Sequence, residues 1–383
     1  MKKILIIIFI FIFMLCGCYN YKELNKIAIV SSIGIDKKED VYLVSAQVMN
    51  IKDNENTDSS KVIVYEEKGK TIEEALRKMT TKSNKKLYGG HLGKIVISDI
   101  VAKESIIDVL DLFQRLPEIK DEFSIVIAKD IKASDVIKIM TSPENIPADY
   151  VTSAIETSFM ESALTYSSNL DEFISYYLKD YIDPVIAVLE VKNYREKGTT
   201  IKNNETTDPD TKIVLDNIAI THDGKLEAFL NEDETIGYNF ISNNVSEMII
   251  PIKCDNDDNY SSISVTSSKT KNSIKKDNDK YIINLEINTS ASINEYNCKK
   301  DLTKEETIKF LENKTSKKIK DYINNTISLK DKYKSEFLGF KRMIYLEYPN
   351  YNNEEFDIKI KTNVNISRSG DIRNSSKGEK YEH

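Results

Sequence analysis

Few residues of this 383-residue sequence are placed for acid–base, nucleophilic or redox chemistry. The patterns G-x-S-x-G, H-E-x-x-H, G-x-G-x-x-G and C-x-x-C are absent, and so is the P-loop pattern. Among the three histidines, His222 lies in a predicted turn and His383 is the last residue. His91 follows Gly89-Gly90 and precedes an apolar run. It either lies over a pocket or, more commonly for such a segment, hydrogen-bonds within a flexible turn.

The acidic residues concentrate in loops without the spacing of a metal site. A calcium loop requires oxygen ligands at alternating positions, a glycine turn and a terminal glutamate. The segment 255–258 has part of the first requirement and neither of the others, and Asp208-Pro209-Asp210 is shorter still. Both are interpreted as solvated charge clusters. The sequence therefore predicts no catalytic residue, no metal ligand and no cofactor-binding residue.

Cys18 is the residue to which the sequence assigns chemistry. Lys2 and Lys3 precede twelve apolar residues, 4–15, which as a helix would span about 18 Å and cannot cross a hydrocarbon core of about 30 Å. Such a run is typical of a signal peptide. It ends in Leu15-Cys16-Gly17-Cys18, which resembles the lipobox of bacterial prolipoproteins. We expect residues 1–17 to be cleaved and Cys18 to carry diacylglycerol, with or without an N-acyl chain such as palmitate. The alternative is an uncleaved N-terminal membrane helix.

The composition narrows the class of protein. Loss of Lys2 and Lys3 with the signal peptide moves the formal charge from −7 to about −9 (−7 − 2), which disfavours binding to nucleic acid. The remaining 366 residues (383 − 17) suffice for two or three domains. Beyond the signal, no apolar run approaches the length of a membrane span. Outside the cytoplasm, Cys254 and Cys298 either form a disulfide or remain free thiols, and their spacing does not decide between the two.

Alternating and periodic apolar residues predict an α+β fold with several domains, antiparallel or mixed sheets and segregated helices. An N-terminal α+β region over 18–194 is followed by a linker or exposed loop over 195–211. A C-terminal α+β region over 212–373, in one or two subdomains, precedes a disordered tail over 374–383. Strands are predicted at 26–34, 41–50, 61–67, 95–98, 123–128, 184–191, 213–221, 225–230, 246–252, 261–266, 281–292, 343–347 and 356–366.

Capping signals help to place the predicted helices. Thr71 with Glu74, and Thr303 with Glu306, have the spacing of capping boxes, and Ser134 is a candidate N-cap. Asp223-Gly224 predicts a tight hairpin turn. The helices are expected from residue 71, over 102–115, shortly after 134, over 155–181 with a break near 167–169, and over 303–329. The last is long and is expected to pack on a sheet.

Several dispersed segments resemble the Ger(x)C family, the lipoprotein C subunits of nutrient germinant receptors of endospore-forming bacteria. After the lipid cysteine the family has Trp-Asp, then Glu-Leu and Gly-Ile-Asp. Here the matching residues are Tyr19-Asn20, Glu23-Leu24 and Gly34-Ile35-Asp36, so the Trp-Asp pair is replaced. The remaining matching segments are His91–Ser98, Arg115-Leu116-Pro117-Glu118-Ile119, Glu234-Thr235-Ile236-Gly237-Tyr238, Phe337–Phe340, Tyr348-Pro349 and the end of the closing strand through Gly370.

The resemblance implies a non-enzymatic α+β lipoprotein without a cofactor, attached to the outer face of the inner spore membrane. Its partners would be the membrane, through the lipid on Cys18, and the integral-membrane A and B subunits of the receptor. The alternative from the residues alone is a lipid-anchored solute-binding protein of a transporter, which would be expected to have two lobes of repeated βα units. A cell-surface hydrolase would need a clustered acid–base or metal site.

Overall fold

The computed structural model describes residues 26–50, 61–141, 146–255, 258–278 and 280–367. The predicted signal peptide, the predicted lipid-attachment residue Cys18 and the predicted tail over 374–383 lie outside these residues. In the described ranges, no helix combines the length and the apolarity that a membrane span requires.

Nine strands of the described residues form the first sheet. They are β1 (Ile27–Lys38), β2 (Val41–Met49), β3 (Val62–Gly69), β4 (Lys86–Tyr88), β5 (Lys94–Ser98), β6 (Ser124–Ala128), β7 (Val185–Lys192), β8 (Lys212–His222) and β9 (Lys225–Phe229). Across the sheet the order is β3-β2-β1-β5-β6-β7-β8-β9, and β4 pairs with the first residues of β1. The pairings from β1 through β5 and β6 to β7 are parallel, as is β1 with β4, and the others are antiparallel.

Helices cover both faces of the first sheet. The helices are α1 (Ile72–Lys78), α2 (Thr80–Ser83), α3 (Asp99–Glu104), α4 (Ile106–Arg115), α5 (Ala133–Val136), α6 (Pro147–Ser162) and α7 (Leu170–Tyr177). Residues of α1, α4 and α7 share a core with Ile95 and Ile97 of β5, whereas residues of α5 and α6 pack around Val96. This explains why β5 is an unbroken apolar run after Lys94, since a parallel strand buried on both faces has no solvent-facing positions.

Four strands of the described residues form the second sheet, in the order β10 (Met248–Lys253), β11 (Tyr260–Asp277), β12 (Lys280–Glu295) and β13 (Phe356–Ser367). The pairing of β12 with β13 is parallel and the others are antiparallel. Helices α8 (Glu232–Ile241), α9 (Glu305–Ile327) and α10 (Phe340–Glu347) complete this half. Leu311, Ile319 and Ile323 of α9 share a core with Ile283 and Leu285 of β12. The predicted α+β class, with mixed sheets and a long C-terminal helix packed on a sheet, is confirmed.

The first sheet crosses the predicted boundary between the N-terminal and C-terminal regions. Because β7 and β8 are antiparallel neighbours, the mostly exposed segment 195–211 connects strands of one sheet. It contains 3₁₀ helices at Glu196–Thr199 and Ile201–Asn203, and Asn203 Nδ2 donates to the carbonyl of Met140 at 2.8 Å. The division into regions 18–194 and 212–373 stays a prediction.

The turn prediction at 223–224 is confirmed, because β8 and β9 form a hairpin in which Asp223 and Gly224 both have positive φ. Two predictions in the C-terminal half are wrong. The polar stretch 267–280 was expected to lie between strands, but its residues 267–277 continue β11, where long antiparallel pairing with β12 outweighs their composition. Residues 343–347 belong to α10, since Phe340 and Ile344, four residues apart, are buried on one helical face.

Several helix ends also differ from the predictions. The helix predicted over 155–181 begins earlier, at Pro147, and its second part ends at Tyr177. The predicted helix over 102–115 is divided by Ser105, whose extended backbone ends α3 and whose side chain caps α4. Ser134 lies inside α5, which is capped by a carboxylate distant in sequence. At α9 the N-cap is Lys304, and Thr303 donates from its backbone N–H to Asp301 instead of forming a capping box. Helix α8 was not predicted, although Asn231 and Glu234 form a complete capping box at its start.

Gly237 lies where α8 crosses α9 at close range. A Cβ at this position would overlap with the carbonyl of Tyr322 and with Oγ1 of Thr326. The same hydroxyl donates to the carbonyl of Glu234 at 2.8 Å. The Glu-Thr-x-Gly segment therefore caps α8 and provides the gap into which α9 fits.

We expect Gly237→Ala to destabilise the protein by about 1–3 kcal/mol, because the methyl group meets backbone that cannot move without disturbing α9. In an exposed helix the same change would stabilise by about 1 kcal/mol. The measurement is the free energy of unfolding from urea titration. Asn324→Ala, on the exposed face of α9, is the matched control and should change it little. Equal stabilities for Gly237→Ala and wild type would contradict the close crossing.

Candidate functional site

The first described residue, Lys26, is close in sequence to Cys18, where the lipid anchor is predicted. Eight residue steps (26 − 18) separate Cys18 from Lys26, so an extended connection spans at most about 29 Å. The strand that follows, β1, lies inside the first sheet, with β2 on one side and β4 and β5 on the other. An anchor at Cys18 would therefore pull directly on the interior of the sheet.

A basic cleft lies at the start of β1. Lys26, Lys85 and Lys86 line it together with Thr80 and Asn84, and its volume is about 580 Å³. The pairing of Ile27 with Lys86 fixes β4 alongside β1 and so brings the lysines together. No motif marks this cleft in the sequence, and the available signal was the density of cations between residues 77 and 86.

Asp36, the last residue of the Gly-Ile-Asp segment, caps α5. Its Oδ1 accepts from the backbone N–H of Ala133 at 2.8 Å, and Oδ2 accepts from that of Ser134 at 2.9 Å. Burial raises the pKa of Asp36, and these hydrogen bonds act in the opposite direction. Gly34 allows the approach of α5, because a Cβ there would lie 3.0 Å from the backbone carbonyl of Ala133. The motif thus holds α5 against β1 and carries no reactive group towards solvent.

The segment around His91 is also structural in character. The backbone N–H of Leu92 donates to the carbonyl of Gly89 at 3.0 Å, which forms the turn, and the His91 side chain is exposed. A Cβ on Gly89 would lie 2.7 Å from Cγ1 of Ile119, and Glu118 pairs with Lys86 at 2.7 Å. The Arg-Leu-Pro-Glu-Ile segment therefore packs against the turn, and His91 is not among the residues that line the basic cleft.

Lys94 is a buried lysine within the same apolar segment. Only 2% of the residue is exposed, and Nζ donates to the carbonyl of Ala148 at the start of α6. Burial lowers the pKa of Lys94 to about 7, and the Asp149 carboxylate acts in the opposite direction. A neutral amine can act as a nucleophile, but Lys94 is buried and is not among the residues that line the basic cleft.

The acidic loops pair with lysines. Asp255 contacts Lys314 at 2.9 Å and Lys300 at 3.1 Å, and these hydrogen bonds hold the pKa of its carboxyl below the usual range. Asp208 pairs with Lys212 at 2.5 Å. In the described part of the chain no group of three or more potential ligands could hold a metal ion. Residues 256 and 257 of the first cluster lie outside that part.

Cys254 and Cys298 form a disulfide, with their Cα atoms 5.4 Å apart. It joins the end of β10 to the segment between β12 and α9, across 44 residues of chain. Of the two alternatives that the spacing left open, the structure has the bridge.

Two family profiles match most of the chain. One, described as the spore germination protein N-terminal domain, matches residues 20–191. The other, described as spore germination B3/GerAC like, C-terminal, matches residues 216–370. The chain belongs to the Ger(x)C family of spore germination proteins. This confirms the resemblance, and the family is not a known family of enzymes.

Relatives in the Ger(x)C family match over almost their whole length. Spore germination protein KC of Bacillus subtilis (strain 168) is 27% identical, and the alignment covers 94% of each chain. Spore germination protein GerQC of Bacillus cereus is 20% identical over 93% of this chain and 96% of its own. The crystal structure of the GerBC protein has a similar fold, with a TM-score of 0.55 at 17% identity, covering 87% of this chain and 96% of that one.

We expect stability to rise with pH from about 7 upwards because of Lys94. An unfolded lysine titrates near pH 10.4, so above pH 7 the unfolded chain binds more protons than the native protein does. The contribution of one proton is about 1.4 kcal/mol per pH unit at most. Lys94→Met should flatten this dependence and be at least as stable as wild type at pH 7. Urea unfolding between pH 7 and 9 measures both.

Lys269→Met, at an exposed position of β11, is the matched control and should keep the wild-type slope. A Lys94→Met protein that is less stable at every pH, with the wild-type slope, would show that the native amine is charged.

Removing the disulfide by Cys254→Ser with Cys298→Ser should lower the free energy of unfolding by about 4 kcal/mol, the chain-entropy estimate for a loop of this length. The same loss should follow from adding a reductant to wild type, and the reductant should leave the double variant unchanged. A wild-type unfolding midpoint that is insensitive to reductant would argue against the bridge.

Proposed function

We propose that this protein is a membrane-anchored lipoprotein subunit of a spore nutrient germinant receptor, the C subunit. The observation that carries the proposal is the match of both family profiles along one chain, 20–191 and 216–370. A lipobox-like segment directly before the first match adds to it. The family match favours this function over that of a solute-binding protein.

The anchor in this proposal is diacylglycerol on Cys18, with or without an N-acyl chain. Two acyl chains give stable attachment to a bilayer, whereas one gives only marginal binding. Export is supported by the disulfide between Cys254 and Cys298, because disulfides persist in oxidising compartments outside the cytoplasm. The proposed location is the outer face of the inner spore membrane.

The proposed mode of action is contact with the integral-membrane A and B subunits, without catalysis and without a cofactor other than the lipid. An anchor confines the folded body to a thin layer above the bilayer, which raises its effective concentration next to membrane partners. Weak individual contacts are then sufficient for assembly. The start of β1 in the sheet interior is consistent with this arrangement, because it holds the folded body close to its tether.

Changing Cys18 to Ala should release the protein from the membrane fraction and slow germination triggered by nutrients, because the tether that keeps it beside its partners is lost. Germination triggered by dodecylamine should be unaffected, since that chemical bypasses the receptors. The measurements are immunoblots of spore membranes and the loss of optical density of spore suspensions, in a strain without a redundant receptor.

Lys269→Met is the control, because it changes an exposed residue of β11 and leaves the anchor intact. Copurification of wild type from detergent-solubilised membranes identifies the partners. Normal nutrient germination by the Cys18→Ala strain would rule out an essential anchor, and copurification of a permease and an ATPase would rule out the receptor assignment.

A further inference from the structure

An acid-free basic stretch lies close to the start of the folded body. Residues 75–98 contain no aspartate or glutamate, in a chain whose acidic residues outnumber its basic ones by 61 to 54. The six cationic residues of the stretch are Arg77, Lys78, Lys82, Lys85, Lys86 and Lys94. This stretch is therefore positively charged, whereas the whole protein has a net negative charge.

Ion pairs neutralise only part of this charge. Four of the cations pair with carboxylates from outside the stretch: Arg77 with Glu73, Lys78 with Glu74, Lys82 with Glu67 and Lys86 with Glu118. Lys94 is buried. Lys85 has no carboxylate partner among the described residues, and it lines the basic cleft with Lys26 and Lys86. This neighbourhood is thus net positive.

The lining of the cleft suits a phosphate group. Lys26, Lys85 and Lys86 supply ammonium groups, Thr80 a hydroxyl and Asn84 an amide. None of these lining residues carries a carboxylate, and Glu118 neutralises the cleft only in part, at Lys86. Lysine binds phosphate as a point charge, and hydroxyl and amide groups donate to its oxygens. A volume of about 580 Å³ accommodates a phospholipid headgroup.

The position of the cleft close to the predicted anchor indicates that the phosphate group belongs to a membrane lipid. The cleft lies at the start of β1, and the connection from Cys18 to Lys26 spans at most about 29 Å. Electrostatic attraction to an anionic surface decays within about 8–10 Å. The tether is short enough to keep the cleft at the bilayer and long enough to let it reach the headgroups.

We propose that the cleft formed by Lys26, Lys85 and Lys86 docks on anionic phospholipid headgroups, as a second membrane contact beside the lipid anchor. This inference rests on the proposed anchoring at Cys18. Acyl chains alone hold the protein at the bilayer but leave the body free to rotate. A second contact eight residues from the anchor sets which surfaces of both sheets face the membrane partners.

Vesicle flotation tests the proposal with the mature chain, residues 18–383, carrying Cys18→Ser so that no acyl chain contributes. We expect binding to vesicles of phosphatidylcholine and phosphatidylglycerol in equal parts, and little binding to phosphatidylcholine alone. Lys85→Glu with Lys86→Glu should weaken binding at least tenfold, since each lysine at an anionic surface is worth about fivefold in partitioning. Lys85→Arg with Lys86→Arg should retain it.

The matched control is Lys269→Glu with Lys275→Glu, the same charge change on exposed positions of β11. Thermal unfolding verifies that each variant is folded. Equal weakening by both charge reversals, or equal binding to both kinds of vesicle, would overturn the proposal. Binding of inorganic phosphate to the cleft without any binding to the phosphatidylglycerol vesicles would also overturn it and would identify free phosphate as the ligand. Membrane release of Cys18→Ala in spores tests the anchor separately.

Discussion

The position of β1, hydrogen-bonded along both of its edges, determines the arrangement of the N-terminal half. It pairs with β2 on one side and with β4 and then β5 on the other. Parallel pairing with β5 requires a long crossover, and that crossover contains β4 and leads into the basic cleft. Because β1 is the first strand of the described residues, a lipid anchor at Cys18 would act on the interior of the sheet.

The segments that identify the family are contacts between distant parts of the chain. Asp36 caps α5 almost a hundred residues away, and Gly34 leaves room for that helix to approach. Ile119 packs against the turn at Gly89, and Gly237 admits α9. In each motif either a glycine leaves space where two segments meet or a polar side chain caps a helix. Motifs of this kind specify a shape, which accords with the role in protein contacts that we propose.

The two sheets share a core, so the surfaces on both are part of one packed body. Val185 and Ile218 of the first sheet lie in the same apolar cluster as Ile250 and Ile283 of the second. Asn239 of α8 reinforces the junction, donating from Nδ2 to the carbonyls of Ala163 and Thr165. The proposed membrane contact, by orienting the first sheet, would therefore also orient the second.

The sequence by itself determined features that depend on neighbouring residues. Alternation and apolar runs located most strands, and Asp223-Gly224 located a hairpin turn. The lipobox-like segment, for its part, located the predicted anchor at Cys18. Dispersed motifs were sufficient for the family because their order along the chain is itself specific.

Only the tertiary structure decided the features that depend on contacts between residues far apart in the sequence. Polar residues 267–277 form strand because β12 offers continuous partners, and 343–347 form helix because Phe340 and Ile344 share a buried face. The cap of α5 came from Asp36 instead of from Ser134. The basic cleft exists because β4 is held against β1. In each case the interactions that determine the structure join residues that are far apart in the sequence.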